Sequence, residues 1–269
     1  MIKIAHESPK SIFDLVQKAT DYDYALVHLF EEDEEYYNEF VEAKNKGREI
    51  ILDNSVFELE TAFDSSRFVE WVEKLKPTWY IIPDVLENSE QTIRNVIEWN
   101  EKYKPMITES KSIGVVQGKT YNEIVACYEA IEPLVDKVAI SFDYSFLKSD
   151  MDLPTKYHHY MYGRQRLLAM LVEEDIINTA KPHHLLGCGL PQEFSAYTDY
   201  KWIDSIDTSN PVVAGMKGMM YNGTLGLEDK PSEKLFTLIN AETTVDQNVR
   251  IFYNIEMFRK ICHGNTKTL

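Results

Sequence analysis

Short apolar runs alternate with amphipathic stretches along most of the chain. The apolar runs predict strands over residues 2–5, 24–30, 49–53, 79–83, 112–116, 137–141, 183–186 and 202–206. The stretches between them have the apolar spacing of helices, over 11–19, 35–46, 65–74, 89–102, 121–131, 163–179 and 191–198. Ser11 is expected to cap the first helix and Gly47 to end the second.

The order of these elements predicts the architecture. About eight strand–helix units in succession are the number in a TIM barrel, (β/α)8, so the expected fold class is α/β. A last helix over 246–262 would pack on the outside of the barrel. With 269 residues, 44% of them hydrophobic, the chain can build one such core, and residues 1–269 are expected to form a single domain. The long aromatic loop over 143–159 is expected to be a lid or substrate loop.

Charge and cysteine usage narrow the class of protein. A net charge of −16 argues against binding nucleic acid through a broad basic surface, although a local basic groove is compatible with it. The apolar runs are too short to span a membrane, and the first residues lack the apolar region of a signal peptide. The three scattered cysteines, Cys127, Cys188 and Cys262, suit a reducing, cytoplasmic location and do not have zinc-site spacing.

Polar residues follow several of the predicted strands directly. The carboxyl ends of barrel strands meet at one mouth, where active sites form. Each of these side chains taken alone could equally be a helix cap or a loop ligand, but their shared position in the repeat favours a common site. The residues placed there are Asp53, Asp84, Gln117, Ser141, Gly187 and Asp207.

Six segments resemble the motifs of one known family, both in their residue patterns and in their order along the chain. The segments are LDNSVFE at 52–58, PDV at 83–85, GVVQG at 114–118, VAISF at 138–142, HLLGCGLP at 184–191 and DSIDTSNP at 204–211. Together they resemble the motifs of the tRNA-guanine transglycosylases over roughly residues 48–220. Such an enzyme exchanges a base through a covalent aspartyl–sugar intermediate.

The resemblance implies roles for the residues at this mouth. Asp207 is similar to the family's nucleophile, and Asp53 would be the general acid or base of the second step. Asp84 and Gln117 would read the edge of guanine, since a carboxylate accepts from its N–H groups and an amide can donate to its carbonyl oxygen. Structural alternatives for these four are a cap, a loop ligand or a buried amide bound to the backbone.

The remaining implied contacts surround the base. Phe57 and Leu186 would sandwich it, although either could be an ordinary core residue. Asn54 and Ser55 would bind the sugar or base, and Gly187 would let the backbone approach closely.

The sequence departs from the family in three places. Ser141 and Phe142 replace a Gly-Gly pair, which changes the expected backbone contact to the base. The arginines that follow the family's nucleophile are missing, and Lys217 is the nearest cation. The cysteine-rich zinc site of the tRNA enzymes is also missing, so we expect no zinc subdomain, no metal and no cofactor. The resemblance is then closest to the phage and bacterial branch that inserts 7-deazaguanines, such as 7-cyano-7-deazaguanine, into DNA.

These departures define the expected partners. DNA is expected more than tRNA, together with a 7-deazaguanine base, in the cytoplasm, or in the host cytoplasm if the chain is phage-encoded. A duplex target would have to be flipped out of the helix. Candidate phosphate contacts, which could equally be ordinary surface charges, are Lys148, Lys156, Arg164, Arg166 and Lys217.

Two other functions stay open at this point. The chain could act on tRNA, or it could be a nucleobase-binding or partner subunit without catalysis, as a homodimer or with a helper protein. Retention of both Asp53 and Asp207 argues against a pure binding role. The histidine pairs at 158–159 and 183–184 do not predict a metal site, because adjacent side chains on a strand point apart.

Overall fold

Eight parallel strands form a nearly closed barrel, so the predicted TIM barrel is confirmed. The computed structural model describes residues 1–142, 144–147 and 151–264. The strand order around the ring is β1-β8-β7-β6-β5-β4-β3-β2. The strands are β1 (Lys3–Ala5), β2 (Asp23–Leu26), β3 (Ile50–Asp53), β4 (Trp79–Ile81), β5 (Lys111–Val116), β6 (Lys137–Ser141), β7 (His183–Leu186) and β8 (Ile203–Asp207).

Helices lie between the strands and after the last one. The helices are α1 (Phe13–Gln17), α2 (Val27–Glu32), α3 (Glu34–Asn45), α4 (Val56–Leu59), α5 (Ser65–Leu75), α6 (Ser89–Glu98), α7 (Tyr121–Ile131), α8 (Lys156–Glu173), α9 (Asn210–Met216) and α10 (Val245–His263). The last of them is the expected C-terminal helix. Within the described part of the chain, no helix has the length and apolar character needed to cross a membrane.

The edge strands β1 and β2 meet at a seam that is bridged by side chains. Thr20 Oγ1 accepts from the amide of His6 at 3.0 Å and donates to the carbonyl of Ile4 at 2.7 Å. Asp21 accepts from the amide of Ile4 at 2.9 Å, and its own amide donates to the carbonyl of Ile4 at 2.8 Å. The ring is therefore closed here by two loop residues instead of a strand ladder.

Among the differences from the predicted elements, two changed bounds and one missing cap have a clear physical reason. The apolar run over 24–30 is strand only to Leu26 and then becomes α2, because a short apolar run fits a buried helix as well as a strand. The helix predicted from Gly163 begins at Lys156, since its buried face starts at Tyr157. Ser11 does not cap a helix: its hydroxyl donates to the carbonyl of Ala241 at 2.8 Å.

Part of the predicted lid loop lies outside the described residues, namely 143 and 148–150. Its last residues belong to α8.

Candidate active site

A cavity of about 280 Å³ opens at the carboxyl ends of the barrel strands. Its size approaches that of ordinary small-molecule sites. The predicted site residues that line it are Asp53, Asn54, Phe57, Asp84, Gln117, Ser141, Leu186, Gly187 and Asp207.

Asp207, the last residue of β8, is held by two hydrogen bonds to one oxygen. Its Oδ1 accepts from Nε2 of His184 at 3.0 Å and from the amide of Gly187 at 3.2 Å. Because a carboxylate only accepts, Nε2 of His184 carries the proton in this arrangement. Burial lowers the pKa of His184, which favours the neutral ring. The contacts fix the carboxylate and leave its other oxygen as the group best suited to react.

A chain of buried polar groups supports His184 from below. The Nδ1 of His184 lies 3.0 Å from the hydroxyl of Ser205, which also accepts from Nζ of Lys137 at 3.3 Å. The same ammonium donates to Asp204 at 2.6 Å and lies 4.0 Å from the ring centroid of Trp79. Burial lowers the pKa of Lys137. The orientation of Asp207 is therefore linked to groups deep in the barrel.

Asp53, at the end of β3, has a different environment. Its Oδ2 accepts from the hydroxyl of Tyr24 at 2.6 Å. Burial and the neighbouring carboxylate of Glu58 raise the pKa of Asp53 well above its usual value. The ring of Tyr24 stacks on that of His184, with centroids 6.0 Å apart. Tyr24, which binds Asp53, therefore stacks on His184, which binds Asp207. Of these two acids, Asp53 is the one whose raised pKa favours the protonated form.

The turn after β3 is built by side chains that bind their own backbone. Asp53 accepts from the amide of Ser55, and Asn54 accepts from the amide of Val56 at 2.9 Å. Ser55 is fully buried with φ +60°, a left-handed conformation that is costly for a residue with a Cβ. The turn keeps Asp53 and Asn54 at the cavity.

Asp84 is clamped by two side-chain amides. Its Oδ1 accepts from Nδ2 of Asn54 at 2.7 Å, and its Oδ2 from Nε2 of Gln117 at 2.6 Å. Gln117 in turn accepts from the amide of Glu87 at 2.8 Å. Carboxylate and amides are fixed in one orientation and are only 0–2% exposed. Such a group can read the donor pattern of a flat ligand, because it does not reorient on binding.

Apolar side chains lie beside the polar cluster of Asp84, Asn54 and Gln117 in the cavity. Phe57 and Phe142 lie with their ring centroids 6.1 Å apart, and Leu186 lines the same cavity. Gly187 has φ +64°, and a Cβ at this position would lie 2.5 Å from the ring of Phe142. Glycine is therefore required where the backbone turns to reach Asp207.

Glu7 is a further cavity acid, which the sequence analysis missed. It follows β1 just as Asp53 ends β3, so the same strand-end rule could have identified it. Burial, with Asp207, Glu58 and Asp53 nearby, raises its pKa well above the usual value. Tyr24 and His184 were also missed, because an inward-facing residue within a strand has no local signal beyond alternation.

Several predicted phosphate contacts lie elsewhere. Lys217 is not among the residues that line the cavity, and its ammonium donates to Glu233 at 2.6 Å. Arg164 is fully buried, where its Nε donates to Glu193 at 2.5 Å, so it is not a surface contact. Arg166 is exposed on α8, and Lys156 does line the cavity. Lys148 lies outside the described residues.

The remaining histidine and cysteine residues do not form a metal centre in the described part of the chain. His183 faces away from His184 and binds the hydroxyl of Tyr128 at 2.9 Å. All three cysteines are buried and unpaired.

Comparison with known proteins finds no family model that matches the chain and no curated protein that matches it.

Proposed function

We propose that this barrel is a pentosyltransferase that exchanges guanine in a nucleic acid for another base. The observation that carries the proposal is the shared cavity of Asp207, Asp53 and the clamped pair Asp84 and Gln117. This is the set of groups that the motif resemblance assigns to the reaction.

In the first step, Oδ2 of Asp207 attacks C1′ of the target nucleoside. A bond forms between Asp207 and C1′ as the bond from C1′ to guanine breaks. The departing base takes a proton from Asp53, whose raised pKa favours the protonated form that can donate. The hydrogen bonds from His184 and Gly187 to Oδ1 orient the nucleophile.

In the second step, the incoming base reverses these movements. Its ring N–H returns a proton to Asp53, and its nitrogen attacks C1′ and releases Asp207. Protons and bonds balance over the two steps, so the exchange needs no cofactor. Asp84 and Gln117 would hold the guanine or 7-deazaguanine edge, with Phe57 and Leu186 against its faces.

DNA is the proposed nucleic acid, and tRNA is the second candidate. The proposal of DNA rests on the sequence, which lacks the zinc-binding cysteines of the tRNA enzymes. The three reduced cysteines suit the proposed cytoplasmic location.

The test is incorporation of radiolabelled guanine into duplex DNA, single-stranded DNA and tRNA, with 7-cyano-7-deazaguanine as competitor. Asp207→Asn keeps an acceptor for His184 and Gly187 but loses the nucleophile, so label should fall to background with the fold intact. Asp199→Asn is the matched control, because Asp199 is exposed in the turn before β8. Absence of label in all three polymers, together with no base binding by calorimetry, would refute the proposal.

A further inference from the structure

Four hydrogen-bonded side chains run through the barrel from its amino-terminal end to the candidate nucleophile, and we call them the inner relay: Lys137, Ser205, His184 and Asp207. Lys137 begins β6, whereas Ser205 and Asp207 lie two residues apart on β8 and therefore on the same face of that strand. The ring of His184, on the neighbouring strand β7, reaches both of them through its two nitrogens. All four side chains belong to residues that are at most 6% exposed.

The two ends of the inner relay have a fixed polarity. An ammonium can only donate, and an ionised carboxylate can only accept. Lys137 therefore donates to the hydroxyl oxygen of Ser205 at 3.3 Å, and Asp207 accepts from Nε2 of His184 at 3.0 Å. The hydroxyl has one proton of its own, and donation of that proton to Nδ1 of His184 at 3.0 Å completes the relay. The ring is then neutral, with its proton on Nε2.

Other placements of these protons lose a hydrogen bond. Asp204 is a second acceptor near the hydroxyl of Ser205. It is already paired with Lys137 at 2.6 Å, however, and its side chain is 31% exposed, so water can reach it. With a proton on Nδ1 of His184 instead, Nε2 would face the carboxylate of Asp207 without a hydrogen. Two acceptors would then meet in a buried place, which is costly.

Lys137 contributes its charge to the inner relay as well as a donor. Three partners surround its ammonium: Asp204 at 2.6 Å, Ser205 at 3.3 Å and the ring of Trp79, whose centroid is 4.0 Å away. A second proton on His184 would sit on Nδ1, one hydroxyl away from this ammonium, and the two positive charges would repel each other. The lysine therefore opposes protonation of the ring.

The other groups around the ring of His184 act in the opposite direction or are neutral. Asp204 and Asp207, both on β8, favour a charged ring because they are carboxylates. Tyr24 of β2 stacks on the ring with a centroid distance of 6.0 Å, and Tyr22 donates its hydroxyl proton to the carbonyl of Ile206 at 2.6 Å. Lys137 is thus the cation that balances two acids around one imidazole.

We propose that Lys137 is a positioning residue that acts through Ser205 to keep His184 neutral, with its proton on Nε2. The inference rests on the proposed function only for the role of Asp207 as the nucleophile. A neutral donor holds Oδ1 of Asp207 without compensating the negative charge, so Oδ2 keeps its reactivity toward C1′. A charged ring would form a buried ion pair with the carboxylate, which would then attack less readily.

The experiment follows the ring nitrogens of His184 by nuclear magnetic resonance, from about pH 5 to about pH 8. The sample is the full chain labelled with nitrogen-15 in its histidines, and the resonances of His184 are those that disappear in His184→Gln. In the wild type, the proton should stay on Nε2 throughout this range. Lys137→Gln keeps an N–H donor but removes the charge. Its ring should take up a second proton within the range, because Asp204 and Asp207 then act without an opposing cation.

Three further variants separate the charge of Lys137 from its other contacts. Lys137→Arg should restore the neutral ring, because it retains the charge. Ser205→Ala keeps the ion pair of Lys137 and Asp204 but removes the donor to Nδ1, so it should also make the ring easier to protonate. The matched control is Lys111→Gln, since Lys111 lies over the same ring of Trp79, at 5.4 Å, but is exposed at the start of β5. It should leave the ring as in the wild type, and thermal melting checks the fold of every variant.

Guanine exchange measured over the same pH range tests the consequence for the reaction. Lys137→Gln should lower kcat at the acid end by on the order of tenfold and leave KM nearly unchanged, because Lys137 does not touch the substrate. The loss should disappear toward the alkaline end, where the ring is neutral again. A purely structural defect would lower activity at every pH.

Failure of the inner relay and failure of the function give different results. A ring that stays neutral over the whole range in both Lys137→Gln and Ser205→Ala would overturn the relay, even if guanine exchange is observed. A wild-type ring with its proton on Nδ1 would overturn it as well. The expected titrations, without exchange in any polymer, would support the relay and reject the proposed reaction.

Discussion

The buried ion pair between Arg164 and Glu193 gives a quantitative prediction of stability. Both side chains are 0% exposed, and their atoms Nε and Oε1 are 2.5 Å apart. The guanidinium also donates to the carbonyls of Leu186 at 2.8 Å and Gly187 at 3.0 Å, at the end of β7. Arg164 therefore binds one oxygen of a buried carboxylate and two partly buried backbone carbonyls at once, beside the amide that binds Asp207.

The replacement Arg164→Met removes all of these donors while keeping an apolar side chain of similar length. Leaving one partner of a buried pair costs about 3–5 kcal/mol. Each carbonyl without a donor adds on the order of 1 kcal/mol, so a loss of at least about 5 kcal/mol is expected. For a chain of this size that corresponds to a fall in midpoint of roughly 10–20 °C.

Thermal and urea unfolding followed by circular dichroism measure the loss. Arg166→Met is the control, because Arg166 is exposed two residues further along α8, and its change should stay within about 0.5 kcal/mol. Arg164→Lys should be intermediate, since it keeps the charge but loses the planar fork. A change below about 1 kcal/mol in Arg164→Met would refute the reasoning, because a buried charge cannot lose its partner so cheaply.

Three further predictions concern titration and backbone conformation. Since burial and nearby Glu58 raise the pKa of Asp53, its contribution to stability is full below about pH 4 and is lost as pH rises. Asp53→Asn should thus raise the melting midpoint more at pH 8 than at pH 4; equal shifts would contradict this. Burial lowers the pKa of His183 to about 4, so protonation of this one residue should cost about 3 kcal/mol of stability as pH falls from about 6.5 toward 4. His183→Gln should flatten that part of a melting-midpoint profile, and an unchanged slope would reject the assignment. Gly187→Ala should lower the midpoint more than Gly47→Ala, because both have positive φ but only the former would meet a ring, at 2.5 Å; comparable losses would refute the steric argument.

Some elements were predictable from the sequence to the residue. The helix Tyr121–Ile131 and the strands Lys137–Ser141 and His183–Leu186 have the predicted bounds. The run over 24–30 was not predictable in the same way, because every position in it is buried and a helix and a strand bury such a run equally well. Packing against the other side chains of the barrel determines whether this run forms a helix or a strand.

The residues of the candidate site also include some that were predictable from the sequence and some that were not. Acids that end a strand, such as Asp53 and Asp207, have a position fixed by topology, so sequence reasoning placed them at one mouth. Arg164 and His184 depend on which way a helix or strand faces once packed, and the sequence alone does not show this. The first was wrongly expected at the surface, and the second was considered only as a metal ligand.

The seam between β1 and β2 is the place where the barrel should open first during local unfolding. A strand ladder distributes its hydrogen bonds over several backbone pairs, but Thr20 and Asp21 provide the seam contacts to Ile4 and His6 described above. The backbone amides at the seam should therefore exchange with deuterium faster than those in the β5–β6 ladder. Glu7, which lines the cavity, follows His6 directly, so transient opening of the ring would also loosen one wall of the cavity. Local unfolding of the barrel and wider access to the cavity would therefore both begin at the seam between β1 and β2.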